Sequence, residues 1–264
     1  MNAALLCHGL REILLAVTLV ATAWTTARAG TMMLIDDFND GNDDGWTTVD
    51  TNEGESWGPG SMDPTSFAYH FSTPQDVPLE APYRGAMSSV WDQSSDPLYT
   101  NGLWRAKVRA DAVDSGATIL LRYTGSLETG FSLYAFSAFG GRGFGFNRYE
   151  DSFLTDSMEI PGVAVGLGEE WWIEAGAVGD QLSMKVWRDG EPEPTQPQLA
   201  FTDATLPVGR FALQTNINFA SDTVGPINTT FDDVYFTPVP EPSTALMTTG
   251  LIGMLLGLRW RRCR

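Results

Sequence analysis

Residues 171–188 read WWIEAGAVGDQLSMKVWR, two runs of alternating residues on either side of Gly179 and Asp180. A glycine at the first central position of a two-residue loop suits a type II′ turn, so this segment predicts a β-hairpin. Such a loop pairs Val178 with Gln181, and the pairs farther from the turn then follow from antiparallel geometry. The register of the hairpin can therefore be predicted residue by residue.

This register separates the hairpin into two chemically different faces. One face is entirely apolar and consists of Ile173, Ala175, Ala177, Leu182, Met184 and Val186. The other face pairs Trp172 with Trp187 and Glu174 with Lys185. Because a slip of one residue would exchange the faces, the pattern predicts that Ile173 is buried and that Trp172 lies outside the core.

Short alternating runs separated by Gly, Pro, Asn and Asp also dominate the sequence around this hairpin. Such a pattern indicates an all-β protein with on the order of a dozen strands, each with one buried face. Further strands are predicted at 103–110, 119–123, 131–136, 143–149 and 208–213, and proline-rich loops at 75–82 and 190–197. We therefore expect two antiparallel sheets packed as a β-sandwich.

The tail, residues 239–264, contains the motif Pro240-Glu241-Pro242, then an apolar run, then four arginines. A helix over 245–260 would span roughly 24 Å, slightly less than the roughly 30 Å hydrocarbon core. The arginines should remain cytoplasmic, as in an ordinary C-terminal anchor. The order of the three parts also resembles the PEP-CTERM sorting signal. This resemblance implies an exosortase-type protease as partner, in a Gram-negative bacterium that secretes exopolysaccharide.

The first residues predict a signal peptide with its own helix. Arg11 precedes the apolar residues 13–23, and Ala27 and Ala29 are the small residues that a signal peptidase reads, so we expect cleavage after Ala29. The chain then consists of a signal peptide (1–29), a β-sandwich domain (30–238) and a sorting signal with a transmembrane helix and basic tail (239–264). This predicts an exported protein of the cell surface or extracellular matrix, with a precursor inserted transiently in the inner membrane.

The composition of residues 30–238 excludes several functions. Cys7 and Cys263 lie outside this domain, so it has neither a disulfide nor a thiol nucleophile. His70, its one histidine, lies in an alternating run and is interpreted as an ordinary strand residue. The domain contains 10 of the 16 basic and 31 of the 33 acidic residues, a net charge of −21. Such a charge repels phosphate backbones and predicts no nucleic-acid partner.

The domain resembles a concanavalin A-like (laminin-G-like) jelly roll. The resemblance rests on residues 35–41 (IDDFNDG), on the hairpin described above and on residues 231–236 (FDDVYF). It implies that the first and last strands run side by side and clamp a structural Ca²⁺ between Asp37, Asn39 and Asp232.

The acidic stretch 36–45 also admits a simpler interpretation. An EF-hand register beginning at Asp36 would put Phe38 at the third ligand position, so the stretch is not an EF-hand. Asn, Asp and Gly in this order are equally typical of a turn before Trp46. Calcium binding and a plain turn both remain open from the sequence.

Some proteins of the fold that this domain resembles hydrolyse glycans. That chemistry needs two carboxylates about 5 to 9.5 Å apart, and the laminarinase-like pattern Glu-x-Asp-x-x-Glu does not occur in this sequence. Glu191 and Glu193 alternate with prolines and are predicted to lie in a loop, whereas Glu174 is balanced by Lys185. We therefore expect a non-catalytic protein, with a glycoside hydrolase as the alternative.

Carbohydrate binding is predicted for the outer face of the hairpin. Flat aromatic rings stack on the C–H faces of sugars, so Trp172 and Trp187 are candidates, with Glu174 and Lys185 as partners for the hydroxyls. Further aromatic candidates are Trp57, Trp91 and Tyr149. The alternative is that both tryptophans pack beneath a loop or against a basic stripe as a cation–π cluster. That stripe consists of Arg105, Lys107 and Arg109.

The sequence thus predicts an exported β-sandwich that binds extracellular polysaccharide and carries a structural Ca²⁺. A purely structural matrix protein is a third hypothesis, because an acidic surface also gathers cations and water.

Overall fold

The computed structural model describes residues 30–239 except 52, 54, 57–59, 65–66, 127–128, 219–220 and 223. The predicted signal peptide and sorting signal therefore lie outside the described residues. The chain divides into two units, of which Thr31–Pro238 contains the domain described below. Within the described ranges, no helix combines the length and apolarity needed to cross a membrane.

The described part of the chain forms fifteen β-strands joined by turns and short 3₁₀ segments. In chain order they are β1 (Met33–Asp36), β2 (Trp46–Asp50), β3 (Ser61–Asp63), β4 (Tyr69–Ser72), β5 (Met87–Trp91), β6 (Gly102–Ala110), β7 (Ser115–Ser126), β8 (Gly130–Phe139), β9 (Phe144–Glu150), β10 (Phe153–Glu159), β11 (Glu170–Val178), β12 (Gln181–Arg188), β13 (Leu199–Thr202), β14 (Arg210–Ile217) and β15 (Asn228–Pro238). The strands predicted from the sequence are all present, and the two predicted proline-rich segments lie between strands.

The strands form two antiparallel sheets packed face to face, so the predicted two-sheet sandwich is confirmed. The first sheet has the order β13-β12-β11-β6-β15-β4-β3, and β1 pairs with the second half of β15. The second sheet has the order β10-β9-β8-β7-β14-β5-β2. The first and last strands are neighbours, as the resemblance implies.

The hairpin β11–β12 has the predicted register. Trp172 pairs with Trp187 and Val178 pairs with Gln181. Gly179 has φ of 58°, and Asp180 is not among the residues with positive φ, as a type II′ turn requires. Ile173 is completely buried, so the predicted assignment of the two faces is correct.

The core between the sheets is rich in aromatic side chains. Trp104 of β6 stacks on Phe211 of β14 with 3.7 Å between ring centroids and 8° between planes. Trp104 also contacts Phe236 at 4.6 Å and Tyr99 at 5.6 Å. Because β6 and β14 belong to different sheets, this stack joins the two layers directly.

The prediction of one buried face for each strand is wrong for the centre of the second sheet. In β7 and β8 nearly all residues are buried, on both faces. The face turned away from the core carries a separate apolar cluster that includes Leu120, Leu133 and Ala212, with Tyr83 and Tyr149 packed on it. The chain therefore covers much of the outer surface of this sheet with its own side chains.

A buried carboxylate ties the segment after β13 to the second sheet. Asp203 accepts hydrogen bonds from the Tyr134 hydroxyl at 2.8 Å and from the Thr205 amide at 2.7 Å, and it pairs with Arg148. Burial alone would raise the pKa of Asp203, but these hydrogen bonds outweigh burial and lower its pKa to about 2.

This pKa shift predicts acid sensitivity. Because the folded-state pKa of Asp203 lies below the ordinary value of about 3.9, its contribution is present above about pH 4 and is lost as the pH falls through about 2. We expect a loss of about 2 kcal/mol in the free energy of unfolding over this range. Urea unfolding at a series of pH values measures this loss. Asp203→Asn is the control, because asparagine does not titrate. Equal losses in both proteins would contradict the assignment.

Candidate functional site

The predicted tryptophan pair lies on the outer face of the first sheet as a cation–π cluster. The rings of Trp172 and Trp187 are 6.0 Å apart and 13° from parallel. The Arg105 guanidinium lies 4.8 Å from the Trp187 ring centroid, and the Lys107 ammonium lies 5.4 Å from that of Trp172. Trp187 is only 7% exposed. This packing matches the alternative interpretation of the pair.

The predicted partners of a sugar, Glu174 and Lys185, belong to an ion network beneath the loop after β12. Glu174 lies 2.5 Å from Arg105 and 3.3 Å from Lys185. Glu193 of the loop lies 2.9 Å from Arg105 and 2.7 Å from Lys185. These groups therefore hold the loop on the sheet. Trp172 keeps a partly exposed ring, and sugar stacking on it stays a prediction.

The predicted calcium ligands Asp37, Asn39 and Asp232 lie just beyond the paired residues of β1 and β15, and they have other partners. Asn39 donates hydrogen bonds to Asp37 and thereby lowers the pKa of that carboxyl. Asp232 lies 3.4 Å from the Lys107 ammonium. Among the described residues, no group of three His, Cys, Asp or Glu side chains could hold a metal ion.

The acidic loop before β2 has the geometry of consecutive turns. The side chains of Asp36, Asp37, Asp40 and Asn42 each accept a hydrogen bond from the amide two residues later, at 2.8 to 3.2 Å. This is the turn chemistry expected for these residue types. Calcium binding stays a prediction: a rise in melting temperature on adding CaCl₂ would support it, and no change with CaCl₂ or EDTA would refute it.

A small groove, with a volume of about 30 Å³, lies on the outer face of the second sheet. Its central floor is polar: the hydroxyls of Thr118 and Ser137 are 2.8 Å apart, and the Gln214 amide donates to the Ser88 hydroxyl at 3.1 Å. We call this feature the second-sheet groove. It is lined by Tyr83, Ala86, Thr118, Phe131, Leu133, Ala135, Ser137, Phe139, Asn147, Tyr149, Gln214 and Asn216.

The rim of the second-sheet groove is aromatic. Phe131 contacts Tyr83 edge-on at 5.4 Å and Tyr149 at 5.9 Å between ring centroids. Tyr149 is partly buried, and burial raises its pKa to about 12, so its hydroxyl is neutral at neutral pH. The groove thus presents flat rings beside neutral hydroxyl and amide groups.

Strand register and one loop explain why the groove forms there. Thr118 pairs with Ser137, and Ala135 pairs with Asn147, so small or short side chains of neighbouring strands lie side by side. Tyr83 reaches the rim from a 3₁₀ segment in which it has φ of 49°. The next residue, Arg84, anchors this segment by donating to the Ser221 carbonyl at 3.0 Å.

A glycine makes room at one end of the groove. A Cβ at Gly116 would lie 2.5 Å from the Phe139 ring and 2.9 Å from the Asn216 side-chain oxygen. Real Cβ atoms essentially never approach other atoms so closely, so a larger residue would displace both of these lining groups.

Sequence reasoning found one member of this site, Tyr149, and missed the rest. Trp91, another aromatic candidate, packs against Trp46 in the core at 5.4 Å, and Trp57 lies outside the described residues. One sequence signal pointed to a covered outer face here. The segment 133–139 (LYAFSAF) has no charged residue on either side of the strand. A strand of this kind is typically covered on both sides.

Comparisons with solved structures give likenesses at low identity. The carbohydrate binding module CBM66 from Bacillus subtilis matches with 12% identity and a TM-score of 0.44, covering 72% of this chain and 93% of its own. The alginate lyase from Klebsiella pneumoniae matches with 12% identity and a TM-score of 0.48, and the match covers 77% of this chain and 99% of the lyase chain. Bacillus licheniformis β-glucanase matches with 15% identity and a TM-score of 0.46, and the match covers 79% of this chain and 97% of the glucanase chain.

No protein-family model matches the sequence, and comparison with curated proteins finds no match. Identities of 12 to 15% with TM-scores below 0.5 do not identify a ligand or an activity for this chain.

Proposed function

We propose that this protein binds a polysaccharide in the second-sheet groove and does not cleave it. The observation that carries the proposal is the pair of partly exposed amides, Asn147 and Gln214, in a groove that the partly exposed rings of Tyr83 and Tyr149 also line. Sugar rings offer apolar C–H faces to such rings and hydroxyls to such polar groups. Asn147 and Gln214 are partly exposed and so can exchange hydrogen bonds with a ligand.

The chemistry of the lining favours binding over hydrolysis. Glycosidic hydrolysis uses two carboxylates beside the scissile bond. Among the described residues that line the groove there is no Asp or Glu. The nearby Glu150 lies 3.1 Å from Arg148, and Glu174 is held in its ion network on the other sheet.

The direct experiment is a glycan array probed with the purified protein. We expect retention on one structural class of polysaccharide and no shortened products after prolonged incubation. Release of oligosaccharides that stops with Glu150→Gln or Glu174→Gln would support the hydrolase alternative instead. Absence of retention on any glycan, together with weaker biofilm cohesion after deletion of the gene, would support a purely structural role.

We also propose that the chain is exported and that its tail is processed by an exosortase-type protease, delivering the domain to the cell surface or matrix. The proposal rests on the residues before Ala29 and on the motif Pro240-Glu241-Pro242.

Processing predicts two new chain ends. Mass spectrometry of the protein from the extracellular fraction should show Gly30 as the first residue and a mass that lacks the arginine-rich tail. Replacing Pro240, Glu241 and Pro242 with alanine should leave the tail attached and the protein in the membrane fraction. An unprocessed extracellular chain would contradict the proposal.

A further inference from the structure

A second concave site lies on the outer face of the first sheet, on the opposite side of the sandwich from the groove. It encloses about 320 Å³, at the lower end of the range for small-ligand sites. Its side chains come from β4, β6, β11 and β15 and include His70, Arg109, Glu170 and Asp232. Phe67, 67% exposed, stands at its edge. We call it the first-sheet pocket.

The floor of the first-sheet pocket is a row of hydrogen-bonding groups across three strands. Arg109 donates to the Thr230 hydroxyl at 3.4 Å, and that hydroxyl lies 3.2 Å from His70 Nδ1. These groups lie in register, since Thr230 pairs with Arg109 on one side and with His70 on the other. The row offers both donors and acceptors to the hydroxyl groups of a ligand.

The two cations of the pocket are already neutralised. Lys107 lies 3.4 Å from Asp232 and 2.8 Å from Asp233. Arg109 lies 3.0 Å from Asp111 and 3.7 Å from Glu170. Four carboxylates therefore surround two cations. A ligand with an anionic group would be repelled, whereas an ammonium group would reduce the excess negative charge.

Glu170 is the carboxylate best placed to receive such a group. Its side chain is 47% exposed, and its 3.7 Å separation from Arg109 exceeds hydrogen-bond distance. A ligand ammonium can therefore form a charge-assisted hydrogen bond with Glu170 while the Asp111–Arg109 pair remains intact. Phe67 supplies an exposed ring on which the apolar face of a sugar can stack.

We propose that the first-sheet pocket binds a glycan with free amino groups, a polymer of 2-amino sugars. The ammonium group pairs with Glu170, the hydroxyls bond to Thr230 and His70, and one sugar ring stacks on Phe67. The pocket and the second-sheet groove use different residues on opposite faces, so either site can bind without the other.

The test compares two probes that differ only in whether their amino groups are free. One is a β-1,4-linked glucosamine hexamer, and the other is its fully N-acetylated counterpart. Calorimetric titration of the full-length protein at pH 6 and low salt should show about tenfold tighter binding of the glucosamine hexamer. Raising the ionic strength should remove most of the difference, because the attraction is electrostatic.

Two variants with matched controls locate the binding. Glu170→Gln should weaken binding of the glucosamine hexamer about tenfold, whereas Glu191→Gln, at an exposed carboxylate outside the pocket, should leave it unchanged. Phe67→Ala should weaken binding of both hexamers, whereas Phe153→Ala, which removes an exposed ring on the other sheet, should not.

Equal affinity for the two hexamers, no binding of either, or equal effects of Glu170→Gln and Glu191→Gln would each overturn the proposal. None of these results would bear on glycan binding in the second-sheet groove, which is tested separately by replacing Tyr83 and Tyr149 with alanine.

Discussion

Replacing Trp104 with alanine is expected to lower the free energy of unfolding by about 4 kcal/mol, as large-to-small changes in a packed core do. Trp104 is 2% exposed and lies face to face with Phe211 of the opposite sheet. Its removal leaves a cavity between the layers that neighbouring rings, held by their own strands, can fill only in part. Urea unfolding followed by circular dichroism measures the effect.

Trp172→Ala is the matched control, because Trp172 lies on the outer face of the same sheet. It loses a cation–π contact with Lys107 and a 2.8 Å hydrogen bond from its indole N–H to Asp189. These contacts contribute about 1.5 kcal/mol together. A loss for Trp172→Ala as large as that for Trp104→Ala would contradict the assignment of core and outer faces.

The second large effect is expected on ligand binding. For a retained polysaccharide without free amino groups, Tyr149→Ala and Tyr83→Ala should each weaken binding about thirtyfold, and the double variant should abolish retention. The reason is geometric: both rings border the second-sheet groove and contact Phe131, and each provides a flat surface for one sugar ring. Affinity electrophoresis in gels containing the polysaccharide measures the change.

Controls separate this effect from altered packing. Tyr149→Phe keeps the ring and should retain most of the affinity. Asn147→Ala alters a partly exposed polar group of the groove and should weaken binding while leaving the melting temperature nearly unchanged. Trp172→Ala, on the other sheet, should not change the affinity. If Trp172→Ala abolished retention and Tyr149→Ala did not, the binding site would be the tryptophan pair.

The hairpin β11–β12 could be predicted in full, because its register depends only on a two-residue turn and on the alternation of nearby residues. The faces of β6 could be predicted for the same reason, since Trp104, Ala106 and Val108 alternate with charged residues. Local patterns of this kind decide which side of a strand is buried.

The groove could not be predicted, because it depends on which strands lie side by side. β14 pairs with both β7 and β5, although some ninety residues separate β14 from β7 along the chain. Tyr83 reaches the groove only through a loop anchored to Ser221. Sequence alternation predicts faces but does not order the strands of a sheet or place a long loop.

The burial of Trp187 shows the same limit. The sequence paired Trp187 with Trp172, but the cation that packs on Trp187 comes from another strand. Arg105 belongs to β6, which lies beside β11, and Glu193 holds the following loop in place. Both interactions depend on tertiary structure, so the burial of Trp187 could not be predicted from the hairpin alone, and sugar binding by Trp187 stays a prediction.

The most direct test of the central claim is the change in side-chain amide NMR signals when the retained polysaccharide is added as an oligosaccharide. Binding in the second-sheet groove predicts shifts for the amides of Asn147, Gln214 and Asn216, and none for Gln198, which is hydrogen-bonded to Val186 on the first sheet. Shifts confined to Gln198 and the Trp172 indole would contradict it.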